Sequence, residues 1–496
     1  MLKAIRLILS LGLILGQLAL APTASADSLD LCRVPASTSQ TVSLGFPFRP
    51  ERLVFLGKVK ILVIPFKQKD NSNYVFTEEY KRDYQAAARN IMEFSGGKTQ
   101  IEYVFAPTVL TELTNADMDQ LKINQQLQWQ KDETKSTWGF IRKFISDQDA
   151  QIDYTGINAV ILEGSSTSAY SDIAEAMMMF YEKQAGSWFR QIQTAEGLIS
   201  NVVLMDNHSS QATITHEIMH LYGLQDLYGT STGPGRLSLM ASNELNLLTY
   251  EKWVLGWHPD SEVKCLNNVL SSSISQFTLD YSKLNQLAVI RAASGSIYIV
   301  ETTKIGSNRY LAFYSLDNEA RPPLKFFQRT SNNDSQGVLI NNYDAIGTEI
   351  SSPEFTLVVS DLNTSAITFN LVSSSMTATT KYTEIVAKAT ESKSKAKQEI
   401  ELKAAADLKA KQEAELKAAA DLKAKQEAEL KAAADLKAKQ EAELKAAADI
   451  KAKQEAEAAV KAATSVKKKT ITCVKGKISK KVSALNPKCP SGYKKR

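Results

Sequence analysis

The 496-residue chain is poor in histidine and cysteine, with four of each. After the first 20 residues it lacks any apolar run approaching 18 residues, which excludes a membrane span in the body of the chain. Residues 262–375 lack helical periodicity and read instead as short β-type runs, which excludes an all-helical fold. Residues 466–496 lack acidic side chains altogether, with ten Lys and Arg496 unopposed. The whole chain carries +5, so the rest of it stands at −6. A basic end of this kind suits polyanions.

What is present is concentrated. Two of the four histidines fall in one string, His216-Glu217-Ile218-Met219-His220. Chance rarely produces H-E-x-x-H in a chain with so little histidine. Histidines four apart share one face of a helix. Two neutral imidazoles so placed can grip one Zn2+ and leave positions open for water and substrate. Glu217 can take the proton of the attacking water. The chain continues Leu221-Tyr222-Gly223-Leu224-Gln225-Asp226. Gly223 can adopt positive φ and end the helix after His220. Asp226 can then swing back as a third ligand, since zinc accepts a carboxylate oxygen. Glu244 and Glu251 are rival third ligands from a later helix. The string H-E-x-x-H-x-x-G-x-x-D resembles the metzincin spacing, with Asp for the third His.

Further on, Ser238-Leu239-Met240-Ala241-Ser242 puts Met240 where metzincins carry a methionine turn, and Tyr250-Glu251-Lys252-Trp253-Val254-Leu255-Gly256-Trp257 follows. With these segments the chain resembles the immune inhibitor A-type secreted metallopeptidases. That family shows H-E-x-x-H-x-x-G-L-x-D-L-Y, a D-L-M-type turn and K-x-x-L-G-W. Lys58–Phe66 is similar to the family's first strand, and Glu93–Lys98 to its helix-to-strand junction. The resemblance covers about residues 50–345. It implies a zincin-type α/β (α+β) catalytic domain, one catalytic Zn2+ and protein or peptide substrates. One departure stands out: the turn reads S-L-M here, not D-L-M.

The N-terminus reads as an export signal over residues 1–26, with Lys3 and Arg6, an apolar stretch Leu7–Leu20 and an Ala24-Ser25-Ala26 cleavage site. The expected location is therefore secreted and cell-surface associated, with no transmembrane span after cleavage. Export permits disulfides. Cys473 and Cys489 sit close together in the basic tail and are expected to pair, which leaves Cys32 with Cys265. A rival role for Cys32 is to ligate zinc as a latency switch, in a short propeptide over residues 27–57.

The metallopeptidase domain is expected over 58–261, from strands at Ile61–Ile64, Gln100–Phe105, Ala159–Leu162 and Val202–Met205 and a helix at Glu78–Phe94. A β-rich subdomain follows over 262–375. Residues 380–465 contain a 14-residue repeat, ELKAAADLKAKQEA from Glu401, built of helix-favouring residues with i,i+4 charge alternation. Its leucines fall six and eight apart, which suits a solitary charged helix ahead of a coiled coil. As a stalk it would hold the enzyme away from its anchor. Residues 466–496 resemble a small two-cysteine module seen on actinobacterial exported proteins and are expected to bind anionic cell-wall polymers rather than nucleic acid.

The reading that emerges is a secreted zinc endopeptidase. His216, His220 and Asp226 hold the metal, Glu217 is the general base, and Tyr222 and Tyr228 are candidates to steady the oxyanion. The rival is a catalytically inactive surface or wall-binding stalk protein that keeps a structural zinc.

Overall fold

The structure is a computed structural model that describes residues 29–38, 42–47, 52–71, 73–128, 135–165, 174–178, 191–205, 208–228, 231–270, 273–280, 282–283, 285–327, 337–340, 343–363, 365–464 and 468–496. The expected signal segment, residues 1–26, lies outside them. Two compact units divide the chain, Met1–Glu399 and Ile400–Arg496.

In the first unit, β1 (Gly57–Lys67) is nearly continuous apolar sequence because both of its faces are covered. Its side chains alternate between two cores. Val59, Ile61 and Val63 enter one, and Leu62, Ile64 and Phe66 enter the other. α1 (Glu78–Phe94) starts at Thr77, whose side chain accepts from Tyr80 N, and buries Tyr84, Ala87, Ile91 and Phe94 in the first core. β2 (Thr99–Phe105) returns parallel to β1, and β3 (Val109–Leu110) pairs with the end of β1. α2 (Asn115–Gln128) and α3 (Thr137–Gln148) cover the opposite face, where α3 contributes Phe140, Ile141, Phe144 and Ile145.

The sheet is completed by β4 (Ala159–Glu163), β5 (Ala174–Met178) and β8 (Asn201–Met205), while β6 (Ile192–Gln193) and β7 (Leu198–Ile199) form a separate ribbon. The order is β2-β1-β4-β8-β5, parallel except for β5, which runs antiparallel along the edge. α4 (Gln211–Leu221) follows β8 and packs on α1 and β5. α5 (Thr249–Val254) then leads into the β-rich part.

That part contains β9 (Val263–Val269), β10 (Ile274–Asp280), β11 (Gln286–Ala292), β12 (Ile297–Ile305) and β13 (Asn308–Leu316), then β14 (Leu324–Phe326), β15 (Val338–Leu339), β16 (Glu349–Ser351), β17 (Phe355–Leu362) and β18 (Ala366–Ser373). One sheet runs β10-β18-β17-β16 and the other β14-β13-β12-β11-β9. Ala288, Ile290, Val300, Leu311 and Phe313 fill the space between the sheets with Phe355 and Phe369. The alternate residues Leu287, Val289, Ile299, Ala312 and Tyr314 face the other way, into the core that α4 and α5 share. The β-rich part is therefore continuous in packing with the α/β half. The Cys32–Cys265 disulfide adds a covalent tie from the N-terminal segment to β9.

α6 (Thr380–Thr464) is a single helix of 85 residues. Its start belongs to the first unit: Ala389 is buried with the sandwich core, and Tyr382 Oη donates to Glu349. Beyond this the repeat leucines stand in solvent, from 58% exposed at Leu422 to 72% at Leu402. In the second unit, β19 (Lys469–Lys475), β20 (Ile478–Ala484) and β21 (Lys494–Lys495) form a sheet closed by Cys473–Cys489. Among the described residues, no helix is long and apolar enough to cross a membrane.

Candidate metal centre

α4 is fixed at both ends. At its start the Ser210 side chain accepts from Thr213 N. Just before it, His208 bridges two carboxylates, Nδ1 at 2.9 Å from Glu163 Oε1 and Nε2 at 2.9 Å from Asp83 Oδ2, with its ring stacked on Tyr80. This ties the helix start to β4 and α1. At the other end Gly223 takes φ +96°. Gly223 N donates to His220 O at 2.8 Å and Leu224 N to Met219 O at 3.1 Å, a Schellman closure. A Cβ at residue 223 would lie 2.4 Å from Arg52 Cδ, so both conformation and space demand glycine. Arg52 Nη1 donates to Tyr222 O, and Leu53 N donates to Leu221 O at 3.0 Å. Carbonyls that the helix leaves open are thus satisfied.

The turn after Gly223 returns Asp226 to the helix face that carries the histidines. His216 Nδ1 lies 2.9 Å from Leu239 O, and His220 Nδ1 lies 2.7 Å from Leu224 O. These carbonyl acceptors assign the proton of each neutral ring to Nδ1 and leave each Nε2 as a bare lone pair. Both Nε2 atoms are 3.1 Å from the same Asp226 Oδ1. Three acceptors converging on one point repel unless a cation lies among them or each ring takes a second proton. Two imidazole nitrogens and one carboxylate oxygen make a donor set that zinc accepts. Glu217 lies by the two rings: one ligand atom each from His216, Glu217 and His220 lie within 4.8 Å of one another. Glu217 is buried at 5% exposure, whereas Asp226 is partly open to solvent.

The three side chains also shift one another's ionisation. Burial opposes ionisation of Asp226, but the hydrogen bonds and charges of the two imidazoles outweigh it and hold the carboxyl well below the usual range. Burial likewise opposes the charged form of His220, and Asp226 and Glu217 outweigh it, raising the ring above its ordinary value.

The other sequence candidates separate clearly. Tyr228 is 60% exposed beside the cluster, with its ring stacked near His216. Tyr222 turns into the core against Trp257. Met240 is fully buried; its N–H donates to Ser238 Oγ at 3.1 Å, and its carbonyl accepts from Leu227 N at 2.7 Å. Glu244 is exposed, and Glu251 is buried against Ser238 and Leu248 N. Neither joins the histidine group among the described residues. Cys32 is bonded to Cys265, so its thiol is not available to a metal. His258 is buried beyond α5. Three further contributors carry no local motif: Arg52, whose guanidinium meets the Tyr222 carbonyl, Arg321, which donates to Gln225 beside Asp226, and the carbonyls of Leu224 and Leu239. The carbonyls are backbone groups, which have no residue signature, and the two arginines are brought in only by the tertiary fold.

No family model matches the chain, and no curated protein matches it. Among solved structures, metalloproteinase-II from Bacteroides fragilis is similar at 14% identity with a TM-score of 0.25, over 46% of this chain and 60% of that one. The chain thus spans under two thirds of that protein's length, and a likeness of this size assigns no role to any residue here.

Proposed function

We propose that the chain is a secreted zinc endopeptidase, with His216, His220 and Asp226 as the metal ligands and Glu217 as the general base. The observation that carries the reading is the meeting of two Nε2 lone pairs and one carboxylate oxygen at a single point, with Glu217 alongside. A bound zinc ion supplies Lewis acidity, lowering the pKa of a water and polarising the scissile carbonyl. Glu217 takes the proton from the attacking water and returns it to the leaving amine. Its burial keeps that carboxylate from exchanging freely with solvent. The Tyr228 hydroxyl is pushed up to about 12, by partial burial and by the Asp226 charge, so it remains a donor at neutral pH and can steady the oxyanion. Tyr222 has no such position. β5 is the antiparallel edge strand beside α4, and among the described residues no second strand pairs with its outer side, which suits an extended peptide held by backbone pairing.

Two disulfides support the exported location. The basic C-terminal sheet is proposed as a retention module for anionic wall polymers, with α6 as its spacer. The deciding experiment is casein cleavage by purified protein, with and without chelator and zinc, beside Glu217→Gln. Loss of general-base help costs about 10²- to 10⁴-fold in rate. A Glu217→Gln variant that cuts as fast as wild type refutes the mechanism. A wild type that binds zinc and cuts nothing supports the inactive stalk reading instead.

A further inference from the structure

Glu251 is a fully buried carboxylate in α5, outside the histidine group. Its oxygens accept from Ser238 Oγ at 3.0 and 2.9 Å and from Leu248 N at 2.8 Å. Ser238 Oγ in turn accepts from Met240 N at 3.1 Å. Between these two residues lies Leu239, whose carbonyl accepts from His216 Nδ1 and whose N–H donates to Asn246 O at 2.6 Å. The carbonyl that orients His216 therefore sits on a turn pinned from both sides. The anchor extends further: Glu301 of β12 accepts from Thr249 N at 3.1 Å, Tyr250 N at 2.9 Å and Tyr314 Oη at 3.1 Å, holding the start of α5.

We propose that Glu251 and Ser238 are positioning residues for the metal centre, fixing the Leu239 carbonyl and through it the ring orientation of His216. The proposal rests on the zinc reading given above. Removing this support is a change of orientation, and groups that orient metal-bound histidines are worth about 10- to 100-fold in metal affinity.

The test is zinc affinity of the full chain, read by competition with a chromogenic chelator, alongside melting of the metal-free protein. Ser238→Ala is expected to raise the zinc Kd by about 10- to 100-fold. Glu251→Gln, whose amide still reaches Ser238 and Leu248, is expected to stay close to wild type. If Ser238→Ala does not fold, Glu251→Asp, one methylene too short to reach Ser238, carries the same expected loss. A folded Ser238→Ala or Glu251→Asp protein that binds zinc as tightly as wild type overturns the proposal, even if its melting temperature falls. If the wild type itself binds no zinc, the zinc reading fails first, which the same titration reveals.

Discussion

At the scale of single residues, the centre depends on lone pairs more than on contacts. Asp226 offers one carboxylate oxygen to both imidazoles. Asp226→Ala is expected to weaken zinc binding by more than the about 10- to 100-fold typical of losing an orienting partner, measured by chelator competition. Gly223 is a second sensitive position, because its positive φ and the packed Arg52 both exclude a side chain. Gly223→Ala is expected to cost more than about 1 kcal/mol of stability in urea unfolding and to lower zinc affinity, since Leu224, whose carbonyl holds His220, is the next residue. His216, Glu217, His220 and Asp226 were legible in the sequence because spacing on a helix and a glycine stop are local rules. Ser238 and Glu251 were not legible as a pair. Their encounter is tertiary, and Glu251 read equally well as a metal ligand.

At the scale of elements, α5 carries the unusual electrostatics. Burial pushes Glu251 up to about 8 against the bonds from Leu248 N and Ser238. Burial likewise pushes Glu301 up to about 7 against the bonds from Tyr250 N and Thr249 N. In both cases the fold favours the protonated carboxyl. Their contribution to stability is therefore complete below the ordinary carboxylate range and is lost as pH rises through about 7 and 8. Urea unfolding between roughly pH 5 and 9 is expected to show stability falling as pH rises, with a shallower fall in Glu251→Gln. The strands β1, β2, β4 and β8 and the helix α1 were readable from apolar runs and helical spacing. β5 was not, because its pairing with β8 is set by the end of the sheet. Nor was the double-sided role of β11, β12 and β13, since alternation says that two faces are apolar but not what covers each.

At the scale of the whole molecule, α6 divides by what its side chains touch. Tyr382, Ala389 and Lys393 lie within the first unit and contact Glu349, the sandwich core and Asp344. The repeat beyond them has its leucines in solvent. Ending the chain after Glu399 is therefore expected to leave the melting temperature of the first unit unchanged. Ending it after Thr379 is expected to lower it, because Ala389 leaves a void and Glu349 loses its hydroxyl partner. Differential scanning calorimetry of the two truncations checks this. Cys32 and Cys265 stand 233 residues apart, so replacing both by Ser is expected to cost about 2–5 kcal/mol.

The same bond has a consequence for how the chain would age if it has the peptidase activity proposed above. His216, Glu217, His220 and Asp226 all lie inside the loop that Cys32 and Cys265 close. A single self-inflicted cut anywhere in that loop opens a ring and releases nothing. Damage of this kind leaves the molecule migrating as one piece on a denaturing gel until reductant is added, when two fragments separate.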